Sequence, residues 1–114
     1  MNLPSLMEKI RAFRDERDWA QFHNPKDMAM ALAIEASELQ EIFLWKTGEE
    51  INETAQHKRT AIEDEVADIA VYLFELADNL GIDIETVVAS KLLKNVAKYP
   101  VAKARGSNAK YTDL

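Results

Sequence analysis

The chain has 114 residues, with 14 Lys+Arg against 20 Asp+Glu, a formal net charge of −6, no cysteine and three each of Gly and Pro. That length leaves room for one domain over residues 1–114, and the absent cysteine excludes disulfides and thiolate zinc sites. The acidic balance argues against a nucleic-acid polymer as partner, because such binding rests on Lys and Arg neutralising phosphates.

Apolar residues recur at three- and four-residue intervals throughout, and no segment alternates as a strand would, so an all-α chain is expected. Leu3, Leu6, Ile10 and Phe13 mark a first helix ending near Trp19. Asn24-Pro25 is an N-cap followed by Pro at the first helical position, with Asp27 near the positive end of the dipole; this second helix should reach about Trp45. Lys46 to Glu53 is the expected internal loop. A third helix runs from about Thr54 to Leu80, where Gly81 supplies a stop. Asp83 can cap a fourth helix reaching Lys98, before Pro100 and an irregular C-terminal tail from Val101 to Leu114. Four helices with short connections suggest a four-helix bundle-like domain, whose chemistry must come from side chains on facing helices. No run nears the roughly 20 apolar residues of a membrane span, and the N-terminus lacks the basic-then-apolar layout of a secretory signal. No membrane partner and a cytoplasmic location are therefore expected.

Charge is unevenly spread. Residues 1–85 hold 8 basic and 19 acidic side chains, a net −11, while residues 86–114 hold 6 and 1, a net +5. On a helical wheel at about 100° per residue, Glu35 and Glu38 fall on the side that carries Met28, Ala31, Leu39 and Ile42. Glu65 and Asp68 likewise share a side with Ala61, Ile62, Ile69, Tyr72 and Leu76. Four carboxylates gathered in an interior repel one another and lose hydration, so they must protonate, find cations or point outward. A hard divalent cation resolves the conflict best, and Mg²⁺ prefers oxygen ligands while leaving positions for water or phosphate. The bland alternative is that these acids edge into solvent or pair with Arg and Lys. A di-iron bundle would want Glu-x-x-His pairs, and neither His23 nor His57 has a Glu three residues before it. A Walker phosphate loop is not provided by Gly48, Gly81 or Gly106.

The run Glu35-x-x-Glu38, 26 intervening residues, then Glu65-x-x-Asp68 resembles the metal-binding signature of the MazG-like all-α nucleoside triphosphate pyrophosphohydrolases. Further strings add to the resemblance: Arg17-Asp18-Trp19-x-Gln21-Phe22-His23-x-Pro25, Phe43-x-Trp45-Lys46, Lys91-x-x-x-Asn95, and Tyr99-Pro100 followed by Ala104-Arg105-Gly106-Ser107 and Lys110-Tyr111-Thr112. Together they are similar to the dCTP pyrophosphatase subgroup over nearly the whole chain. The resemblance implies Mg²⁺-dependent hydrolysis of a deoxynucleoside triphosphate, dCTP or a related dNTP, to the monophosphate and pyrophosphate, a house-cleaning of the nucleotide pool. It implies Glu35, Glu38, Glu65 and Asp68 as metal ligands, with Glu38 and Glu35 the catalytic carboxylates and Glu38 the one to activate water. It further implies substrate contacts from Trp19, His23, Trp45, Tyr72, Lys91, Asn95, Arg105, Lys110 and Tyr111, and a homo-oligomer, dimer or tetramer. Lys91 and Asn95 would grip the triphosphate. Trp19 and Trp45 would stack on the base, and Tyr72 would pack under the sugar and disfavour a 2′-hydroxyl. His23 can donate to the base or merely fix the turn before Pro25, and Phe22 is expected in the core. Some relatives carry a histidine in the first helix where Ile10 stands here. Two rival readings remain: a preference for dATP or dUTP, and a non-catalytic acidic helical module that binds a partner protein.

Overall fold

The computed structural model describes residues 1–114 and is all-helical. Asn2 opens helix α1 (Leu3–Glu16) with a reciprocal cap: its Oδ1 accepts from the Ser5 amide at 3.0 Å, while its own amide donates to Ser5 Oγ at 3.2 Å. The helix stops three residues earlier than the apolar spacing suggests, because Asp18 turns into the left-handed region at φ 55°. An Asp tolerates that conformation better than most residues, and Gln21 Nε2 donates to its carboxylate at 3.0 Å. A short 3-10 turn (Ala20–Phe22) leads to Asn24, whose Oδ1 accepts from the Asp27 amide at 2.9 Å to cap α2 (Pro25–Ile42).

Beyond α2 the structure departs from the expected loop. Gly48, at φ 55° and ψ −132°, occupies a conformation open only to glycine, and directly starts α3 (Glu49–His57). Most of the expected loop is therefore helical. The expected third helix is two: Lys58 relaxes to φ −104° and ψ 23°, ending α3 and starting α4 (Arg59–Asn79). Hydrogen bonds still run across the joint, from the Lys58 amide to Thr54 O and from the Ile62 amide to Lys58 O, each at 2.9 Å. The break is thus a change of direction, with no Gly or Pro to announce it.

The chain forms two compact units, Met1–Gly81 and Ile82–Leu114. In the first, α2 packs along α4, and α1 and α3 also contact α4. Ile10, Met28 and Ala77 are its buried apolar residues. Asp78 of α4 holds α1 through Arg11, with Nε at 2.9 Å and Nη2 at 2.8 Å, and through Arg14 Nη1 at 3.4 Å. Those guanidinium partners keep the Asp78 carboxyl below its ordinary range despite its partial burial. Phe22, expected in the core, is 61% exposed. No helix is long and apolar enough to cross a membrane.

The second unit consists of α5 (Ile84–Lys98), a single helical turn α6 (Val101–Ala104) and a 3-10 turn (Tyr111–Asp113). Asp83 precedes α5 as expected, but its carboxylate accepts from Thr86 Oγ1 at 2.7 Å rather than from a backbone amide. The tail is less irregular than its composition suggests. Tyr111 meets Tyr99 edge-on at 6.0 Å, and Lys98 Nζ lies 4.7 Å above the Tyr111 ring.

Candidate metal centre

Because α2 and α4 lie against each other, residues 30 positions apart in sequence meet. Ligand oxygens of Glu35, Glu38 and Glu65 all fall within 4.8 Å of one another. Glu35 and Glu65 are half-buried and Glu38 is exposed. Glu35 Oε2 and Glu65 Oε2 are fully enclosed and meet no hydrogen-bond donor of the protein. Two buried acceptors facing each other need a shared proton or a cation. The hydrogen bond that a proton makes between Glu35 and Glu65, then burial, then Glu38, push the Glu35 carboxyl up to about 7. A site built of carboxylate oxygens alone, with one open side, fits a hard divalent cation such as Mg²⁺ rather than a thiophilic metal. Asp68, the expected fourth ligand, is exposed and lies outside this trio. Its charge is felt instead at Tyr72, whose hydroxyl is held protonated by burial first and then by Glu35, Asp68, Glu75 and Glu38.

An open cleft of about 710 Å³ runs from Glu38 and Glu65 of the trio to the end of α2, lined also by Glu41, Ile42, Leu44, Trp45, Lys46, Lys58 and Ala61. Trp45 stands there at φ 65° and 88% exposed. A bulky residue in the left-handed region costs on the order of 1–3 kcal/mol, and such strain concentrates at functional sites. Trp19, on the other aromatic segment, meets Phe13 edge-on at 5.7 Å and the His23 ring at 6.1 Å. His23 Nδ1 lies 3.3 Å from Glu75 Oε1, close enough for an ion pair but without hydrogen-bond alignment.

The structure thus brings Glu35, Glu38 and Glu65 together and sets Trp45 on the same cleft. Lys91 and Asn95 are on α5, Arg105 follows α6, and Lys110 and Tyr111 are at the C-terminal turn, all in the second unit. Within that unit Tyr111 already has a structural partner in Tyr99. Two features escape the sequence argument. Lys46 and Lys58 line the cleft as cations beside its acids. Glu75, the one buried charged residue, continues the Asp68, Tyr72 face of α4 at i+7, so the wheel that found Asp68 could have found it.

A paired-helix scaffold with a carboxylate trio on its inner seam defines the class, and the comparison with known families agrees: a profile of the MazG-like family matches residues 30–114. The chain belongs to the MazG-like family. It is 43% identical over 104 residues to dCTP pyrophosphatase 1 of Bos taurus, which covers 90% of this chain and 62% of the relative. It is 40% identical to dCTP pyrophosphatase 1 of Homo sapiens, covering 90% of this chain and 61% of the relative. The chain therefore spans somewhat under two thirds of the length of these curated relatives. Among solved structures, a pyrophosphatase from Archaeoglobus fulgidus superposes with a TM-score of 0.83 at 37% identity, covering 86% of this chain and 92% of the other.

Proposed function

We propose that this chain is a single-domain, cytoplasmic nucleoside triphosphate pyrophosphohydrolase that uses Mg²⁺ to convert dCTP or a related dNTP to the monophosphate and pyrophosphate, clearing the nucleotide pool. The observation that carries this reading is the carboxylate trio with its two enclosed, unpartnered oxygens. Similarity to the dCTP pyrophosphatases over 90% of the chain supports the substrate class.

Glu35 and Glu65, the enclosed members, would hold the cation, with Glu38 completing the trio and Asp68 joining from the next turn of α4. The cation, when bound, supplies charge neutralisation to the phosphates and a reference point for their orientation. Glu38, exposed and lining the cleft, would take a proton from the water that attacks the α-phosphorus. As the new P–O bond forms, the bond to the β-phosphate oxygen breaks and pyrophosphate leaves. Trp45 and Trp19 offer faces for the base, which stacking on an aromatic stabilises by about 1–3 kcal/mol. His23 borders the Trp19 face, and Tyr72 stands one turn beyond Asp68 to sense the sugar. The family resemblance supports Lys91, Asn95, Arg105, Lys110 and Tyr111 as the residues that would contact the phosphate chain.

The working form is a homo-oligomer. Few apolar residues are buried in the single chain, while Leu92, Leu93 and Val96 make an exposed apolar stripe on α5, Leu93 at 74%. A stripe of that kind on a short chain calls for a covering surface.

Pyrophosphate release from a panel of NTPs and dNTPs, with Mg²⁺ and with chelator, tests the proposal. Metal-dependent turnover with dCTP or a close analogue preferred is expected. No turnover of any nucleotide, together with Glu38→Gln binding Mg²⁺ as well as the parent, would refute it in favour of a non-catalytic acidic module, and preferred turnover of dATP or dUTP would refute the substrate assignment alone.

A further inference from the structure

The backbone of the segment that carries Trp19 and His23 is tied locally, the Trp19 amide donating to Arg14 O at 3.1 Å and Gln21 Nε2 to Asp18 at 3.0 Å. Its 3-10 turn lacks a side-chain cap, and Trp19, Gln21 and Phe22 are all exposed. The orientation of its two rings depends on side chains of neighbouring helices. Phe13 supplies one contact, edge-on to Trp19. The other comes from α4, where Glu75 is 3% exposed and its Oε1 sits 3.3 Å from His23 Nδ1. A carboxylate so enclosed requires a donor or a positive partner. The side chain of Asn79 does not serve, because its Nδ2 donates to the Glu75 backbone carbonyl. Tyr72, one turn before, feels Glu35 and Asp68 ahead of Glu75 and makes no hydrogen bond to the Glu75 carboxylate. His23 is the ionisable partner that reaches Glu75 from outside α4, at ion-pair distance and without hydrogen-bond alignment.

We propose that Glu75 is a positioning residue for the nucleobase wall: through Nδ1 it fixes the His23 ring, and with it the Trp19 ring alongside. The wall is thereby referenced to α4, the helix that also carries Glu65 and Asp68, so base and phosphate are aligned by one rigid element. With Nδ1 turned to Glu75, Nε2 is the ring nitrogen left for a ligand. This inference rests on the proposed function only in assigning Trp19 and His23 to the base.

Two substitutions separate positioning from packing. Glu75→Met keeps the buried volume and removes the acceptor; Glu75→Gln keeps an oxygen facing Nδ1. Expected for Glu75→Met is a KM for the preferred dNTP raised roughly tenfold, a flattened base preference, kcat within about threefold of the parent, and unchanged Mg²⁺ affinity by calorimetry without nucleotide. Glu75→Gln should recover most of the loss. A readout independent of turnover uses the two tryptophans of the chain: in a Trp45→Phe background, acrylamide should quench Trp19 emission more strongly with Glu75→Met than with Glu75 or Glu75→Gln. Parental KM and parental Trp19 quenching in Glu75→Met would overturn the proposal. So would a joint fall of kcat and Mg²⁺ affinity, which would place Glu75 in the metal centre instead. Should the parent hydrolyse no dNTP, the functional reading fails, while the quenching result still decides whether Glu75 positions Trp19.

Discussion

Replacing Glu35 by Gln removes the proton whose place the cation takes, and the effect can be sized from the structure. The Glu35 carboxyl is pushed from 4.5 to about 7 by Glu65, burial and Glu38. At about 1.4 kcal/mol per unit, the shift corresponds to a ceiling of about 3 kcal/mol. Glu35 is only half-buried, so solvent screening brings the expected value to about 1–2 kcal/mol. The sign follows from the direction: a carboxyl raised in the folded state contributes stability that is complete below pH 4.5 and lost as pH rises through about 7. Urea denaturation in the presence of chelator should therefore show the parent losing about 1–2 kcal/mol relative to Glu35→Gln between acid and mildly alkaline pH. Saturating Mg²⁺ should abolish that loss, since the cation replaces the proton. The raised carboxyl holds a proton that the cation must displace, so binding near pH 7 should release protons, measurable by calorimetry in two buffers of different ionisation heat. Parallel pH profiles for parent and variant, or binding without proton release, would refute the coupling of Glu35 to the cation.

Glu38→Gln should lower kcat by about 10²–10⁴-fold while nucleotide still binds, as judged by pyrophosphate release beside equilibrium titration. Tyr72→Ala should narrow the preference for deoxy- over ribonucleotide in kcat/KM; an unchanged ratio removes its role at the sugar. Asp78→Asn, which weakens the Arg11 and Arg14 clamp on α1, should cost about 1–3 kcal/mol in urea denaturation. Asp78 is held low by those arginines, so the stability it contributes is present above pH 3.8 and lost as pH falls through its depressed value. Leu93→Asp, on the exposed stripe of α5, should shift the mass in light scattering toward the monomer; an unaltered mass rules that stripe out as the contact surface.

Much of the molecule can be read from local pattern. Helix periodicity is set within a few residues, so the apolar spacing located α1, α2, α4 and α5, and Asn24-Pro25 placed the start of α2 to the residue. The same 100° step put Glu35 with Glu38 and Glu65 with Asp68 on the apolar sides of their helices, where Glu35 and Glu65 are half-buried and Glu38 and Asp68 exposed. What the periodicity could not supply was the joint at Lys58, where no helix-breaking residue stands and φ and ψ both leave their helical values. Nor could it supply the left-handed turns at Asp18 and Trp45, which place both tryptophans and depend on how the neighbouring helices end.

Charge partners divide along the same line. That α2 and α4 each carry inward acids follows from their own sequences, but which acids meet is decided by the depth and rotation at which the two helices pack. Packing chose Glu35, Glu38 and Glu65 as the gathered trio, left Asp68 outside it and enclosed Glu75 against His23, 52 positions away in the chain. A carboxylate's environment is made by atoms from other segments, and so its burial, its proton affinity and its partner become visible only when those segments are in place.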